Sequence, residues 1–256
     1  MQPAELGLAM DADHPRHWLG RSTLIDLEDP KLRLRVHALT QLCKTEREKA
    51  LAIYGYVRRF PLARRIQVHA RTARQVYDAG RGDAPEKATL LVAMLRMAGV
   101  PARIRFVTMS GEILRGITTR INEAGRPLVE VWLQERWLRT DTYIYDAECM
   151  GAARERLKEL GWEWGFGIHV SGAMVWNGFE SAFLSGVPTE CDLMVVREAG
   201  VYHDPLEYFS SSAFGSLQFR IGRMLQWNLL APLFDRALRR LRERHSHADI
   251  RFHKTY

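Results

Sequence analysis

The segment between residues 82 and 103 constrains this chain more than any other. It reads Gly82-Asp83-Ala84-Pro85-Glu86-Lys87-Ala88-Thr89-Leu90-Leu91, then Met94-Leu95-Arg96, then Gly99-Val100-Pro101-Ala102-Arg103. Asp83 can accept from the free amides of the turn that follows, and Pro85 holds a φ already suited to a first helical turn. Glu86 stands three residues after the cap, the spacing that lets a carboxylate reach back to the cap's own amide. Ala88, Leu91, Val92 and Leu95 recur at helical intervals, which predicts a helix over 84–98 with one buried stripe. Gly99 suits the left-handed residue past a helix end, and Pro101 forbids the helix to resume. Alternation over 102–107 then predicts a strand.

The neighbouring segments extend this pattern. Leu32, Val36 and Leu39 share one side of a helix predicted over 32–42. Thr45 and Glu48 have capping-box spacing ahead of Ala50, Ile53, Tyr54 and Val57, and Pro61 stops that second helix. A short helix over 72–77 ends at Gly80. Two strands, 128–133 and 137–143, are expected as a hairpin across Gln134-Glu135-Arg136. Helices followed by antiparallel strands argue for an α+β fold. No repeat or low-complexity linker interrupts residues 31–145, which read as one unit. Residues 1–30 read as irregular, because His14-Pro15 and Asp29-Pro30 disfavour regular structure.

The glycine-led loop, the helix and the Gly-Val-Pro-Ala-Arg turn resemble the transglutaminase-like superfamily. That resemblance implies a papain-like α+β core in which a helix N-terminus packs on an antiparallel sheet. It also implies a catalytic cysteine at the start of the helix, a histidine opening a strand of the form H-A-W-x-E-V, and an acid after W-x-x-x-D on the next strand. Val129-Glu130-Val131-Trp132-Leu133 matches the first strand, and Trp137-Leu138-Arg139-Thr140-Asp141 matches the second. The triad positions thus fall on Ala84, Arg126 and Asp141, with the acid alone retained. A thiolate at a helix N-terminus is favoured by the macrodipole, and a histidine must take and return its proton. An alanine and an arginine can do neither.

Arg126 opposite Asp141 is expected to form a buried bridge that holds two strands in register. The alternative is an anion site made by Arg126 and the helix N-terminus, against which the Asp83 carboxylate competes. Glu86 is read as a cap and as a candidate cleft carboxylate. Cys149, His169 and the turn at His203-Asp204-Pro205 are minor catalytic candidates without partners at a recognisable spacing.

Residues 146–212 read as an extension that departs from the family pattern. They include a helix over 152–160 and an aromatic, glycine-rich run, Gly161-Trp162-Glu163-Trp164-Gly165-Phe166. Trp162 and Trp164 are expected either to line a pocket or to pack as a lid. Residues 213–256 read as basic amphipathic helices and a tail, divided at Pro232, with Leu225, Leu229, Leu233 (or Phe234), Leu238 and Leu241 as the apolar stripe. The formal net charge is +7, and the segment from Arg220 to Tyr256 carries an excess of six positive charges within it. A stretch of this kind over 213–244 could pack on the parent domain, on a second copy or on a membrane surface; nucleic acid is the weaker expectation.

Three cysteines, at positions 43, 149 and 191, give neither a disulfide framework nor a zinc site. No secretory leader or membrane-spanning run is legible, so a cytoplasmic protein is expected. No cofactor and no metal are implied. Three functions are compatible with this sequence. The first is a non-catalytic binding or scaffold module whose old cleft takes a peptide or small anionic ligand through Asp83, Glu86, Arg126, Asp141, Trp162 and Trp164. The second is a non-standard amide hydrolase or acyl transferase built around Asp141 and other cleft residues, and the third is a membrane- or nucleic-acid-associated protein acting through its basic C-terminal tail.

Overall fold

A computed structural model describes residues 14–64, 66, 69–215 and 217–252. Four helices come first: α1 (Pro30–Thr40), α2 (Glu46–Arg58), α3 (Ala73–Ala79) and α4 (Ala84–Met97). Their caps are the ones their sequences offer. Asp29 accepts from Lys31 and Leu32, Thr72 and Gln75 form a reciprocal box, and so do Asp83 and Glu86. At α2 the expected box is altered. Thr45 accepts from the Glu48 amide, but the Glu48 carboxylate reaches one residue further back, to the Lys44 amide at 2.6 Å. Ahead of α1, part of the segment read as irregular is a short 3-10 turn, Pro15–Leu19, which buries Trp18; the residues before position 14 lie outside the described ones.

The strands β1 (Ala102–Ser110), β2 (Glu123–Leu133) and β3 (Arg136–Thr140) follow. The hairpin between β2 and β3 turns on two residues only, Gln134 (φ 53) and Glu135 (φ 60), both left-handed as a tight primed turn requires. Arg136 therefore belongs to β3, and β3 stops at Thr140 rather than running to 143, because residues 141–144 turn toward the next helix. That helix, α5 (Ala147–Leu160), begins five residues before the expected start, capped by Asp146, which accepts from the Cys149 amide. A two-residue ladder joins β4 (Trp164–Gly165) to β5 (Ile168–His169). Strand β6 (Val195–Tyr202) and helix α6 (Pro205–Ser210) precede the last helix, α7 (Leu217–Phe252).

The main sheet is antiparallel with the order β3-β2-β1-β6. Val129, Val131 and Leu133 of β2 and Ala102, Ile104 and Phe106 of β1 pack into the larger core with α4. Val107, Met109, Leu128 and Ala124 supply a second cluster with Ile113, Phe183 and Leu230. Glu130, fully buried, sits directly across from Arg103 on one side and Arg139 on the other. Its carboxylate also meets Arg105, so one anion ties three strands through three guanidinium groups.

Helix α4 carries a second buried charge. Lys87 has no exposed surface, and its ammonium donates to the carbonyls of Phe60 (2.7 Å), Ile144 (2.9 Å) and Arg58 (3.3 Å). Burial pushes the amine down to about 7, with Asp146 pulling it back up. The lysine joins the C-terminal end of α2 to the turn after β3, which is where residue 141 is set.

Helix α7 corrects the division expected at Pro232. It is continuous through that residue, whose side is exposed, while Leu230 and Ala231 before it and Leu238 and Leu241 after it are buried. Packing on both sides of the proline thus holds the helix together across a missing donor. The stripe also differs: Leu225, Leu229 and Leu233 face solvent, and Leu230, Leu238 and Leu241 form the packed side with half-buried Phe234. Arg242 fastens this side to the Asp146 carboxylate at 2.7 Å and to the Leu62 carbonyl at 3.0 Å.

Candidate functional site

Ala84 begins α4 at the wall of a cavity of ≈ 340 Å³. The entry of the helix is built by its own cap. Asp83 Oδ1 accepts from the Glu86 amide at 3.1 Å, and Glu86 Oε2 accepts from the Asp83 amide at 3.0 Å. At Gly82, which precedes them, a Cβ would lie 3.0 Å from the Glu86 carboxylate, a tight approach. Both carboxylates are buried, so each needs a cation. Arg64 meets Asp83 at 3.2 Å, and Arg71 grips Glu86 through Nε and Nη2. Glu86 is therefore an interior ion-pair partner rather than a surface cap. Burial, and next the charge of Glu86, push the Asp83 carboxyl up to about 6, against the pull of Arg64.

Arg126, on β2, also lines the cavity. Its Nη1 donates to Asp141 Oδ2 at 3.2 Å and its Nη2 to the carbonyl of Gly167. The other Asp141 oxygen accepts from the Leu184 amide at 2.8 Å. Asp141 is buried, and burial raises its pKa while Arg126 opposes that shift. The carboxylate stands behind the guanidinium and does not line the cavity. Gly167 is required where it is: its φ is +84, and a Cβ would lie 2.1 Å from the Tyr145 hydroxyl.

Among the described residues no cysteine or serine lines the cavity, and its threonine, Thr89, donates to the Pro85 carbonyl at 3.0 Å. A nucleophile activated by an adjacent base is therefore not assembled there. His69 and Asn228 also line the cavity, and much of the remaining wall is apolar, supplied by Tyr208 and Phe209 of α6, Phe214, and Met224, Trp227 and Phe234 of α7.

The other sequence candidates lie elsewhere. Cys149 is buried in α5 outside the cavity, and burial pushes its thiol up to about 12, which leaves no thiolate to react. His203 stacks on Trp18 at 4.5 Å and is held neutral, burial and the nearby Arg96 pushing it down to about 4. Asp204 caps α6 and accepts the Leu24 amide at 3.0 Å. His169 bonds Ser171 Oγ at 2.6 Å and lies 4.2 Å from the Trp164 ring. Trp162 and Trp164 line a separate depression with Glu112 and Arg115, and the Arg115 guanidinium covers the Trp162 ring at 3.5 Å. Among the described residues no cluster of His, Cys, Asp or Glu could hold a metal ion.

The sequence reading missed Arg64, Arg71, Arg223 and the aromatic wall. Arg64 and Arg71 sit in an irregular loop without periodicity, though two carboxylates three residues apart at a buried helix entry already call for cations. Tyr208, Phe214 and Trp227 come from segments far apart in the chain, and no local spacing links them.

Residues 35–142 match the family model of the transglutaminase-like superfamily, and this part of the chain is a transglutaminase-like domain of α+β fold. Among solved structures, a protein from Cytophaga hutchinsonii described as a "putative cysteine protease" aligns with a TM-score of 0.40 at 17% identity. The alignment covers 51% of this chain and 42% of that one. No curated protein matches the chain.

Proposed function

We propose that this chain is a non-catalytic member of its superfamily, a binding module that uses the cleft beside Ala84. The observation that carries this reading is the pairing of Arg126 with Asp141 and the Gly167 carbonyl. A guanidinium offers donors and no acceptor atom with which to take a proton from a nucleophile, and residue 84 has no nucleophilic atom. The cleft itself is kept open, at ≈ 340 Å³. The reading in which Asp141 serves a non-standard hydrolase is disfavoured, because both its oxygens are engaged and neither lines the cavity. An amidase and transamidase screen on the unmodified protein, run beside the Ala84→Cys, Arg126→His double variant, tests the proposal. The unmodified chain is expected to be inert, and turnover by it would overturn the reading.

A second role has its own observation. Ile221, Leu225, Leu229 and Leu233 form an exposed apolar row on α7, and exposed Arg236, Arg239 and Arg240 follow on the same side. We read this row as the contact face for a second copy of the chain, with an anionic membrane surface as the competing occupant. No described helix is long and apolar enough to cross a membrane.

A further inference from the structure

The cations around the cleft are not equivalent. Arg64, Arg71 and Arg126 each face a carboxylate: Asp83, Glu86 and Asp141. Arg223, on α7, lines the same cavity and meets no carboxylate within ion-pair distance among the described residues. It donates through Nη2 to the backbone carbonyl of Glu123, and its buried Nε has no acceptor. Burial pushes its pKa down from the ordinary arginine value, with Glu123 the principal charge acting the other way. A half-buried guanidinium without a counter-ion is costly, and an anion brought to it relieves that cost.

The surfaces beside Arg223 are apolar. Leu114, Tyr208, Phe209, Phe214, Trp227 and Phe234 supply the cavity's apolar lining, from the turn after β1 to α7. What such a wall can hold depends on the hydrogen bonds it offers. β3 pairs with β2 only over residues 129–133, so at residues 124–126, which line the cleft, β2 has β1 on one side and no paired strand on the other among the described residues. The hydroxyls of Thr89 and Tyr145 are already spent on the carbonyls of Pro85 and Phe166. A hydrocarbon chain against the aromatic wall needs no hydrogen bond there, whereas every peptide amide buried against it would.

We propose that the cleft binds a long-chain carboxylate, its hydrocarbon chain against the α6–α7 aromatic wall and its head group at Arg223. This rests on the binding-module reading and names the ligand class for that module. An apolar wall beside a few placed polar groups is the usual make-up of a small-ligand site.

The test is a titration of the full-length protein with dodecanoate below its micelle concentration, followed by calorimetry and by the shift in melting temperature. Dodecyltrimethylammonium and N-acetyl-Leu-Phe-Phe-amide serve as controls of opposite charge and of peptide character. Dodecanoate is expected to saturate at one per chain and to raise the melting temperature. Arg223→Gln is expected to weaken it about tenfold or more, the loss of one charge-assisted contact, while Arg223→Lys retains most of the affinity. Met224→Trp, which fills the cavity from a half-exposed wall position, is expected to abolish binding without touching the head-group contact. Equal binding of the cationic chain, indifference to Arg223→Gln, or several dodecanoates per chain would overturn the proposal. Binding of the peptide amide in place of dodecanoate would also overturn it, yet leave the binding-module reading intact. Amide turnover by the unmodified chain would instead remove that reading, whatever the titration shows.

Discussion

Arg126 and Asp141 form a pair in which each member satisfies something beyond the other. The guanidinium also holds the Gly167 carbonyl, and the carboxylate also holds the Leu184 amide. Removing only the cation strands a buried anion, so Arg126→Met should cost about 3–5 kcal/mol of stability. Combining it with Asp141→Asn, which keeps an acceptor for Leu184, should cost less than the sum of the two single changes. Chemical denaturation of the three variants measures that coupling; strict additivity would mean the bridge holds nothing. Asp83 gives a pH signature of its own. Its carboxyl titrates at about 6 in the folded chain, above the ordinary aspartate value of about 4, so the folded state keeps its proton longer than the unfolded one. Its contribution is fully present below about pH 4 and is lost as pH rises through 6, a decline on the order of 2–3 kcal/mol. Melting curves between pH 4 and 6 should fall for the native chain and flatten for Asp83→Asn, which still caps the helix.

At the scale of elements, α4 is held at its N-terminal end by two separate sets of charged groups. Its N-terminus carries the Asp83–Glu86 box and two arginines, and its first turn carries Lys87. The three carbonyls bound by Lys87 have no substitute donor if the amine is removed. Lys87→Met, close in length and apolar, should therefore destabilise the chain by about 2–4 kcal/mol, read from the denaturant midpoint. A neutral result would show that water reaches those carbonyls. This helix was the most legible element in the sequence, because cap, first-turn proline, stripe and stop agree with one another. Lys87 was not legible: a lysine on the buried side of a stripe looks like a break in pattern until its acceptors, more than twenty residues away on either side, are known. Helix α5 was read short for a related reason. Asp146 is a good cap, but the weakly patterned turn after it is fixed by Arg242, far along the chain.

For the molecule as a whole, the transglutaminase-like segment supplies the floor of the cleft, and α6 and α7 supply much of its walls. The floor was partly legible, since the sequence motifs already singled out Ala84 and Arg126, which line it, and Asp141 behind them. The walls were not, because α7 buries Leu230, Leu238 and Leu241 and exposes the leucines whose spacing first suggested a stripe. Two apolar rows on one helix are indistinguishable by periodicity until one of them finds a partner. The exposed row makes a prediction about assembly. Light scattering should find a dimer, and Leu225→Glu with Leu229→Glu should return it to a monomer without loss of folding. A monomer that binds anionic liposomes in a salt-sensitive manner would assign the row to a membrane instead.

The strand order β3-β2-β1-β6 has a consequence for how the chain must be made. During synthesis β1 can pair with β2 as soon as residues 123–133 emerge, but its other edge waits for residues 195–202. Until then the row bearing Ile104, Phe106 and Val107 is an open template for any passing strand. A nascent or truncated chain that ends before residue 195 is therefore the form of this protein most prone to aggregate, and β6 is its native gatekeeper.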